Sequence, residues 1–257
     1  MRGTELWLAT TPDSLRSILP GHAGAWNDTP AKCETAIEAV TGRARAQLRV
    51  EQGFGQMTTN ETGDIGTLRA REYLMLASLL RFPAKQELLD KLAAINSDTS
   101  PLGIAHVQLA EAAARTDERS AGREFFNLFI GVGRGELLPY ASFYLTGFLN
   151  ERPLGRVRED LARLGIQRAD GNFDPEDHIA TLLETMAGLA SCEIQAEAET
   201  DKAFFERHLK PWSGRFFADL GVAPSATFYR AVAGVGLAFI GIETEAFTLP
   251  DTAGGTY

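Results

Sequence analysis

The chain has 257 residues, of which 44% are hydrophobic and 23% charged, so it can bury one good core and can hold one or two domains. A formal net charge of −9 excludes non-specific nucleic-acid binding, which needs a basic face, and is compatible with a cationic partner. The two cysteines are far apart and in no CxxC pair, which excludes a disulfide framework and a cysteine zinc site.

Residues 1–56 differ in composition from the rest of the chain. Their apolar stretch, Leu6–Ala9, is too short for a signal peptide, and no run of 18 apolar residues follows anywhere, so we expect a cytoplasmic protein without membrane insertion. Gly- and Pro-rich breaks interrupt the segment, and a second methionine, Met57, opens a polar run typical of a flexible N-terminus. We therefore expect 1–56 to be a disordered extension or an over-long start, followed by a flexible lead-in at 57–66.

Helical periodicity dominates from Thr67 onward, with no alternating run long enough for a strand. The pattern predicts an all-α fold, a single compact helical domain over 67–247 with about nine or ten helices, followed by a flexible tail at 248–257. After the first helix, which Pro83 ends, the predicted helices cover 84–95, 101–115, 118–130, 140–150, 154–164, 175–199, 202–209, 211–220 and 225–247. The residues predicted to be largely buried are Phe125, Phe129, Leu182, Met186, Phe205, Phe216 and Phe239.

A glycine-rich loop follows the aromatic segment Glu124–Ile130. The glycines at 131, 133 and 135 resemble a phosphate-binding loop. In a dinucleotide-binding site, however, such a loop follows a β-strand, whereas this one follows a predicted helix. A flexible connection between helices explains the glycines better. A helical nucleotide-binding protein or enzyme that uses Gly131–Gly135 stays open as the alternative.

The turn Asp174–His178 is the sharpest local motif. Asp174 is placed to be the N-cap of a helix that begins at Pro175, and the acids that follow would favour the helix dipole. Local helix stability alone explains these residues. His178 has no capping role in this scheme, so it is either a structural imidazole or a binding residue.

Catalytic motifs are missing from the sequence. It contains no Gly-x-Ser-x-Gly, no His-Glu-x-x-His and no cysteine–histidine arrangement, and its four histidines are scattered. In the segment Phe204–Trp212, Pro211 is expected to end one helix and start the next. We therefore expect a protein that is not an enzyme and has neither a metal nor a cofactor.

Four segments in order resemble the TorD/DmsD family of redox-enzyme maturation chaperones. They are Phe-x-x-Leu-Phe-x-Gly at 125–131, Pro-Tyr-x-Ser-x-Tyr-Leu at 139–145, the turn at 174–178, and His-Leu-x-Pro-Trp at 208–212. The resemblance implies a single all-helical domain that binds the twin-arginine leader, and often the apo-enzyme, of a molybdopterin oxidoreductase and delays export until its cofactor is inserted. The family's turn usually begins with Glu, where this chain has Asp174.

The resemblance also assigns the residues that bind the leader. It implies that the pair Asp177 and His178 binds the leader directly, and we expect both side chains to face outward, with the protonation of His178 making binding depend on pH. Further carboxylates for arginine and rings for an apolar groove are expected from Glu176, Glu136, Tyr140 and Tyr144.

The identity of the client is left open by the sequence. A formate dehydrogenase, a trimethylamine N-oxide (TMAO) reductase or a dimethyl sulfoxide (DMSO) reductase would each fit, and the chaperone could be a monomer or a homodimer. A structural partner of a membrane complex, without specificity for a leader, is the other alternative.

Overall fold

A computed structural model describes residues 60–168 and 174–249, with side chains from Ile65 onward, so the expectations for 1–56 and 250–257 lie outside it. Ten α-helices and one π-helical turn form the described part, which contains no strand and confirms the all-α prediction. The helices are α1 Asn60–Arg81, α2 Gln86–Ala93, α3 Pro101–Ala114, α4 Glu118–Phe125, α5 Ala141–Thr146, α6 Arg152–Arg163, α7 Ile179–Ala190, α8 Thr200–His208, α9 Ser213–Val222 and α10 Phe228–Thr248, and the π-turn is Phe126–Ile130.

Helix boundaries follow the local capping chemistry in some places and depart from the predictions in others. Ser100 caps α3 by accepting a hydrogen bond from the Gly103 N–H at 3.0 Å. Residues 60–66, expected as a flexible lead-in, are the first turns of α1. The helix predicted over 118–130 changes to a π-turn after Phe125, and residues 209–212 form a turn, so α9 begins at Ser213 and not at Pro211.

The core is built around α7. Every residue of α7 except Glu184 is buried, because the helix packs along α1 on one side and meets α8 on another. Six of the seven residues that were predicted to be largely buried are buried. The exception is Phe129, which is half-buried against the core and lies edge-on to Phe125. The all-round apolar sequence of α7 is what a fully enclosed helix requires.

The last helix, α10, is long and apolar enough to cross a membrane by length and composition, with an 18-residue mean hydropathy of 1.4. No such helix was expected from the sequence. In the fold, α10 packs along α9 and α3, and one of its buried residues is Glu243, only 2% exposed. A buried, paired carboxylate and extensive packing are typical of the core helix of a globular protein.

A buried ion-pair network joins the first and last helices. Arg69 on α1 donates from Nε and Nη2 to the two carboxylate oxygens of Glu243, at 2.9 and 2.7 Å, and the Tyr73 hydroxyl donates to Glu243 at 2.6 Å. Burial lowers the pKa of Arg69, but the Glu243 carboxylate outweighs burial and the net pKa is raised. The network fixes α10 against α1 with bidentate geometry.

Candidate functional site

Two motif segments meet at a short antiparallel bridge. Tyr140 pairs with His178: the Ile179 N–H donates to the Pro139 carbonyl at 2.8 Å, and the Ala141 N–H donates to the Asp177 carbonyl at 3.0 Å. The fold therefore brings together the Pro-Tyr segment and the turn at 174–178, which are more than 30 residues apart in sequence. We refer to 139–142 and 174–179 together as the junction.

Asp177 is fully buried in the junction. Its Oδ2 accepts a hydrogen bond from the Ser142 N–H at 2.7 Å, and so caps α5, whose own N-cap residue, Tyr140, contributes no side-chain bond. Its Oδ1 and the Ser142 hydroxyl are buried without a hydrogen-bond partner among the described residues. The expectation that Asp177 faces outward is therefore wrong, because its carboxylate is used to start α5.

His178 is also buried, and it is the N-cap of α7. Its Nδ1 accepts a hydrogen bond from the Ala180 N–H at 3.1 Å, so α7 begins at Ile179 and not at Pro175, with Asp174 outside the helix. Burial, with Arg81 nearby, lowers the pKa of His178 to about 3. The predicted outward orientation and titration near the usual histidine range are both wrong, because the ring is enclosed and neutral.

Arg81, in the last turn of α1, anchors the other side of the junction. Its Nη2 donates to Thr181 and to Glu184, each at 2.8 Å, and its Nη1 lies 3.8 Å from an Asp174 carboxylate oxygen. Burial raises the pKa of Glu184, and Arg81 counteracts the shift. The Asp174 side chain is 49% exposed, so it is a carboxylate on the outer surface of the junction.

Tyr140 lies between the buried His178 and the surface of the junction, close to the carboxylates of Asp174 and Asp177. Its ring lies edge-on to His178 with centroids 5.1 Å apart, and it remains half-buried. Burial, together with the charges of Asp174 and Asp177, raises its pKa to about 12, so it is a neutral donor and acceptor.

The other predicted site residues lie at different distances from this centre. Glu176 is at the rim, where its carboxylate lies 2.8 Å from Arg158 Nε and 3.8 Å from Arg168 Nε. Tyr144, one turn beyond Tyr140 on α5, packs against Trp212 at 5.3 Å. Glu136 instead binds Ser225, accepting from its N–H at 3.2 Å, and this contact ties the loop to the segment before α10 and not to the junction.

Exposed apolar side chains follow α5 directly. Gly147 ends that helix with φ of 85°, a left-handed conformation that favours glycine, and the exposed residues around this turn are Leu145, Phe148 and Leu149. Phe148 is 70% exposed. Sequence reasoning missed these residues, although the clustering of apolar side chains in a turn was a usable signal.

The glycine-rich loop returns the chain onto its own helix. Gly131, with φ of 61°, ends the π-turn, and the Leu137 N–H donates to the Leu128 carbonyl at 2.8 Å. A side chain at Gly135 would come within 2.6 Å of that carbonyl oxygen, so glycine is required for this close approach. Arg134 then lies 5.2 Å from the Phe143 ring centroid, which places the loop beside α5.

Glu124, in the aromatic motif, was also missed as a structural residue. Its buried carboxylate accepts backbone hydrogen bonds from Thr227 and Tyr229, both at 2.7 Å, and from Phe228 at 3.1 Å. It thus caps α10 from a distant part of the chain.

His208, in the His-Leu-x-Pro-Trp motif, has a structural role. Its Nε2 lies 2.7 Å from Asp160 on α6, and its carbonyl accepts from the Trp212 indole at 2.6 Å. Burial lowers the pKa of His208, although Asp160 opposes the shift. Across 60–168 and 174–249, no group of three or more His, Cys, Asp or Glu side chains is arranged to hold a metal ion.

The sequence comparisons with known proteins agree with these motifs. Residues 96–218 match the family described as nitrate reductase delta subunit. The chain is 28% identical to the chaperone protein TorD of Vibrio cholerae serotype O1, covering 67% of this chain and 88% of that protein, and 28% identical to TorD of Aliivibrio fischeri, covering 72% and 97%. A crystal structure of a redox enzyme maturation protein from Archaeoglobus fulgidus aligns with a TM-score of 0.46 at 20% identity, over 74% of this chain and 99% of that one.

Proposed function

We propose that this chain, a member of the TorD family of redox-enzyme maturation chaperones, binds the twin-arginine leader peptide, the apo form, or both, of one molybdopterin oxidoreductase. Acting in the cytoplasm, it assists cofactor insertion and delays export. Its client is an enzyme of the formate dehydrogenase, TMAO reductase or DMSO reductase type. On this proposal the chain is a chaperone and not an enzyme; the TorD proteins that it resembles are named chaperones.

The observation that carries the proposal is the unused acceptor in the junction. Asp177 Oδ1 is buried with no hydrogen-bond partner among the described residues, and an unsatisfied buried carboxylate oxygen is costly. A leader guanidinium presents several N–H donors, and each charge-assisted bond contributes about 1.5–3 kcal/mol. Since Asp177 is fully buried in the free protein, the turn 174–178 must open to admit the donor, and His178 holds that turn closed beforehand.

The rim of the junction offers carboxylates that can exchange partners. The Asp174 side chain is 49% exposed, and Glu176, itself only 13% exposed, is paired with Arg158, whose side chain is 52% exposed. A leader arginine can reach Asp174 from solvent and can compete with Arg158 for Glu176. Two acceptors at the rim suit a pair of neighbouring arginines.

Apolar surface next to the junction supports binding of the leader's apolar stretch. Tyr140, the N-cap of α5, and Tyr144, on that helix, are half-buried, and Leu145 and Phe148 after them are exposed. Burying one such side chain in an interface contributes about 1.5–3 kcal/mol. A peptide with arginines followed by apolar residues can contact the rim and this surface in succession.

Calorimetric titration tests the proposal with leader peptides from the three client classes, each also made with Lys-Lys in place of Arg-Arg. We expect one Arg-Arg leader to bind and its Lys-Lys form to bind about tenfold or more weakly, because lysine cannot make bidentate contacts. Failure of all leaders and of the matching apo-enzymes to bind would refute the proposed function. Equal binding of Arg-Arg and Lys-Lys peptides would refute recognition of the arginine pair.

A further inference from the structure

The exposed side of α10 is apolar over most of its length. Leu237 and Ile242 are each 43% exposed, and Gly241 beside them is exposed as well. Between positions 230 and 245, Thr244 is the only polar residue of α10 that is not buried, and its hydroxyl donates to the Ile240 carbonyl at 2.7 Å. Water therefore meets about four turns of helix without a polar side chain free to bind it.

One charge lies at each end of this apolar surface. Arg230 and Glu245 are both exposed, and neither forms an ion pair within 60–168 or 174–249. Positions 230, 234, 237, 241 and 245 are three or four residues apart, so they share one side of the helix. We call these five positions, together with Ala238 and Ile242, the α10 face.

Charges on the helices packed against α10 are used elsewhere. On α3, Glu111 lies 3.7 Å from Arg115, and on α9, Asp219 lies 3.9 Å from Arg215. The Arg69–Glu243 pair belongs to the buried side of α10. The acid of α4 that reaches α10, Glu124, binds backbone N–H groups at 227–229. The two terminal charges of the α10 face thus stay without a counter-charge in the described part of the fold.

The α10 face is complementary to itself when turned end for end. Arg230 is seven residues before Leu237, and Glu245 is seven residues after Ala238, so the midpoint of the face lies between Leu237 and Ala238. Two antiparallel copies crossing at this midpoint place Arg230 of each level with Glu245 of the other. A parallel pair would instead place like charges together, so the charges select the antiparallel, two-fold arrangement.

We propose that the α10 face joins two copies of this chain in an antiparallel, two-fold symmetric dimer. Leu237 packs near the axis, and Arg230 of each copy pairs with Glu245 of the other. One helix pair of this length covers less than the roughly 800 Å² per partner of a standard interface, so the dimer is weak and reversible. It does not depend on leader binding, because no residue of the α10 face belongs to the junction.

Sedimentation velocity of the full chain tests the proposal. We expect a reversible monomer–dimer equilibrium between about 5 and 300 µM, with tighter association at low salt because the ion pairs lie at the edges of the contact. Leu237→Asp, which places a charge near the axis at an exposed position, should abolish the dimer. A monomer over the whole concentration range, or an unchanged dimer in Leu237→Asp, would overturn the proposal.

Charge reversal distinguishes this dimer from any other. Arg230→Glu and Glu245→Arg should each weaken association about tenfold or more, because each puts like charges opposite one another at both ends. The double variant Arg230→Glu/Glu245→Arg restores opposite charges and the original net charge, so it should associate within about threefold of wild type. Arg152→Glu, at another exposed arginine without an ion pair in the described residues, is the control and should associate as wild type.

Failure of the double variant to recover association would refute the pairing of Arg230 with Glu245. Lipid is the competing occupant, since α10 is also long and apolar enough to cross a membrane. Flotation of the full chain with phosphatidylcholine vesicles separates the two. Binding to the vesicles that Leu237→Asp abolishes, in a chain that stays monomeric, would assign the α10 face to a membrane and overturn the dimer.

Discussion

At the scale of single residues, His178 shows how enclosure changes the role of a polar side chain. The ring caps α7 through Nδ1 and contacts Tyr140, so it must be neutral to accept the Ala180 N–H. Desolvation favours that neutral form. The residue therefore holds the turn of the junction, and its chemistry is that of an N-cap rather than of a pH sensor.

The lowered pKa of His178 makes stability depend on pH in a definite direction. Between its folded-state pKa of about 3 and its ordinary value of 6.5, the unfolded chain binds a proton that the folded chain does not. The contribution of His178 to the free energy of unfolding is therefore fully present above about pH 6.5. As the pH falls below that value, the contribution is lost by up to about 1.4 kcal/mol per pH unit. Between about pH 7 and pH 5, urea unfolding should show that His178→Asn loses roughly 2 kcal/mol less than wild type.

A control with the opposite sign is available at His106. Its pKa is raised by the hydrogen bond to Glu72, so it contributes stability that is present at low pH and lost as pH rises through that raised pKa. His106→Asn should therefore lose more stability than wild type on acidification. If His178→Asn and wild type lose the same amount, His178 is not held neutral in the fold.

Asp177 is predicted to stabilise the fold through its acceptor. Asp177→Ala leaves the buried Ser142 N–H without its partner, and we expect a loss of about 1–3 kcal/mol in the free energy of unfolding. Asp177→Asn keeps an oxygen at this position and should lose less than half as much. Urea unfolding of both variants measures the difference; an equal loss would show that charge, not capping, is what matters.

At the scale of elements, the sequence was sufficient for the helices but not for their caps. Periodicity predicted where most of the helices lie, and the helix predicted over 101–115 does begin at Pro101 with Ser100 as its N-cap. The start of α7 was placed four residues too early, because Asp174-Pro175 has the local pattern of a helix start, whereas tertiary contacts at the junction hold 174–178 as a turn. A local sequence pattern cannot show that an acidic side chain will cap a different helix, as Asp177 caps α5.

The same limit applies to the candidate site. Order and type of the motifs predicted that the Pro-Tyr segment and the turn at 174–178 act together, and the bridge between Tyr140 and His178 joins them. Whether a side chain in these segments is buried or exposed depends on packing between segments that are far apart in sequence. For that reason the burial of Asp177, and the position of Glu136 against Ser225 rather than in the junction, were not predictable.

Glu124 tests the importance of a cap supplied by a distant element. Its carboxylate satisfies three N–H groups at the start of α10, so Glu124→Ala should lower the free energy of unfolding by at least about 2 kcal/mol. Glu111→Ala, on the exposed face of α3, is the matched control and should change it by no more than about 0.5 kcal/mol. Similar losses in the two variants would contradict the cap.

At the scale of the whole molecule, the Arg69–Glu243 pair connects the ends of the described chain. The two residues are 174 positions apart, and their helices flank the core formed around α7. Closing the fold through a buried ion pair makes the two ends interdependent, since Glu243 would be buried without a cation if Arg69 were lost, and Arg69 would keep only its 3.3 Å pair with Asp201 if Glu243 were lost.

A double-mutant cycle measures this interdependence. Arg69→Met should lower the free energy of unfolding by about 3–5 kcal/mol, because it leaves Glu243 buried without a cation, and Glu243→Leu should lower it by less, because Arg69 keeps its pair with Asp201. The double variant should lose much less than the sum of the two, with a coupling of at least about 2 kcal/mol. Additive losses would show that the pair does not act as a unit.

The central claim is that the junction is where a leader peptide binds. The measurement that tests it most directly is the dissociation constant of the cognate Arg-Arg leader for Asp174→Asn/Glu176→Gln, compared with the control Asp90→Asn/Glu111→Gln, which changes the net charge equally on α2 and α3. We predict a loss of about tenfold or more, or about 1.4 kcal/mol, in the junction variant alone, with both variants melting near the wild-type temperature. Equal affinity in the two variants would contradict the claim.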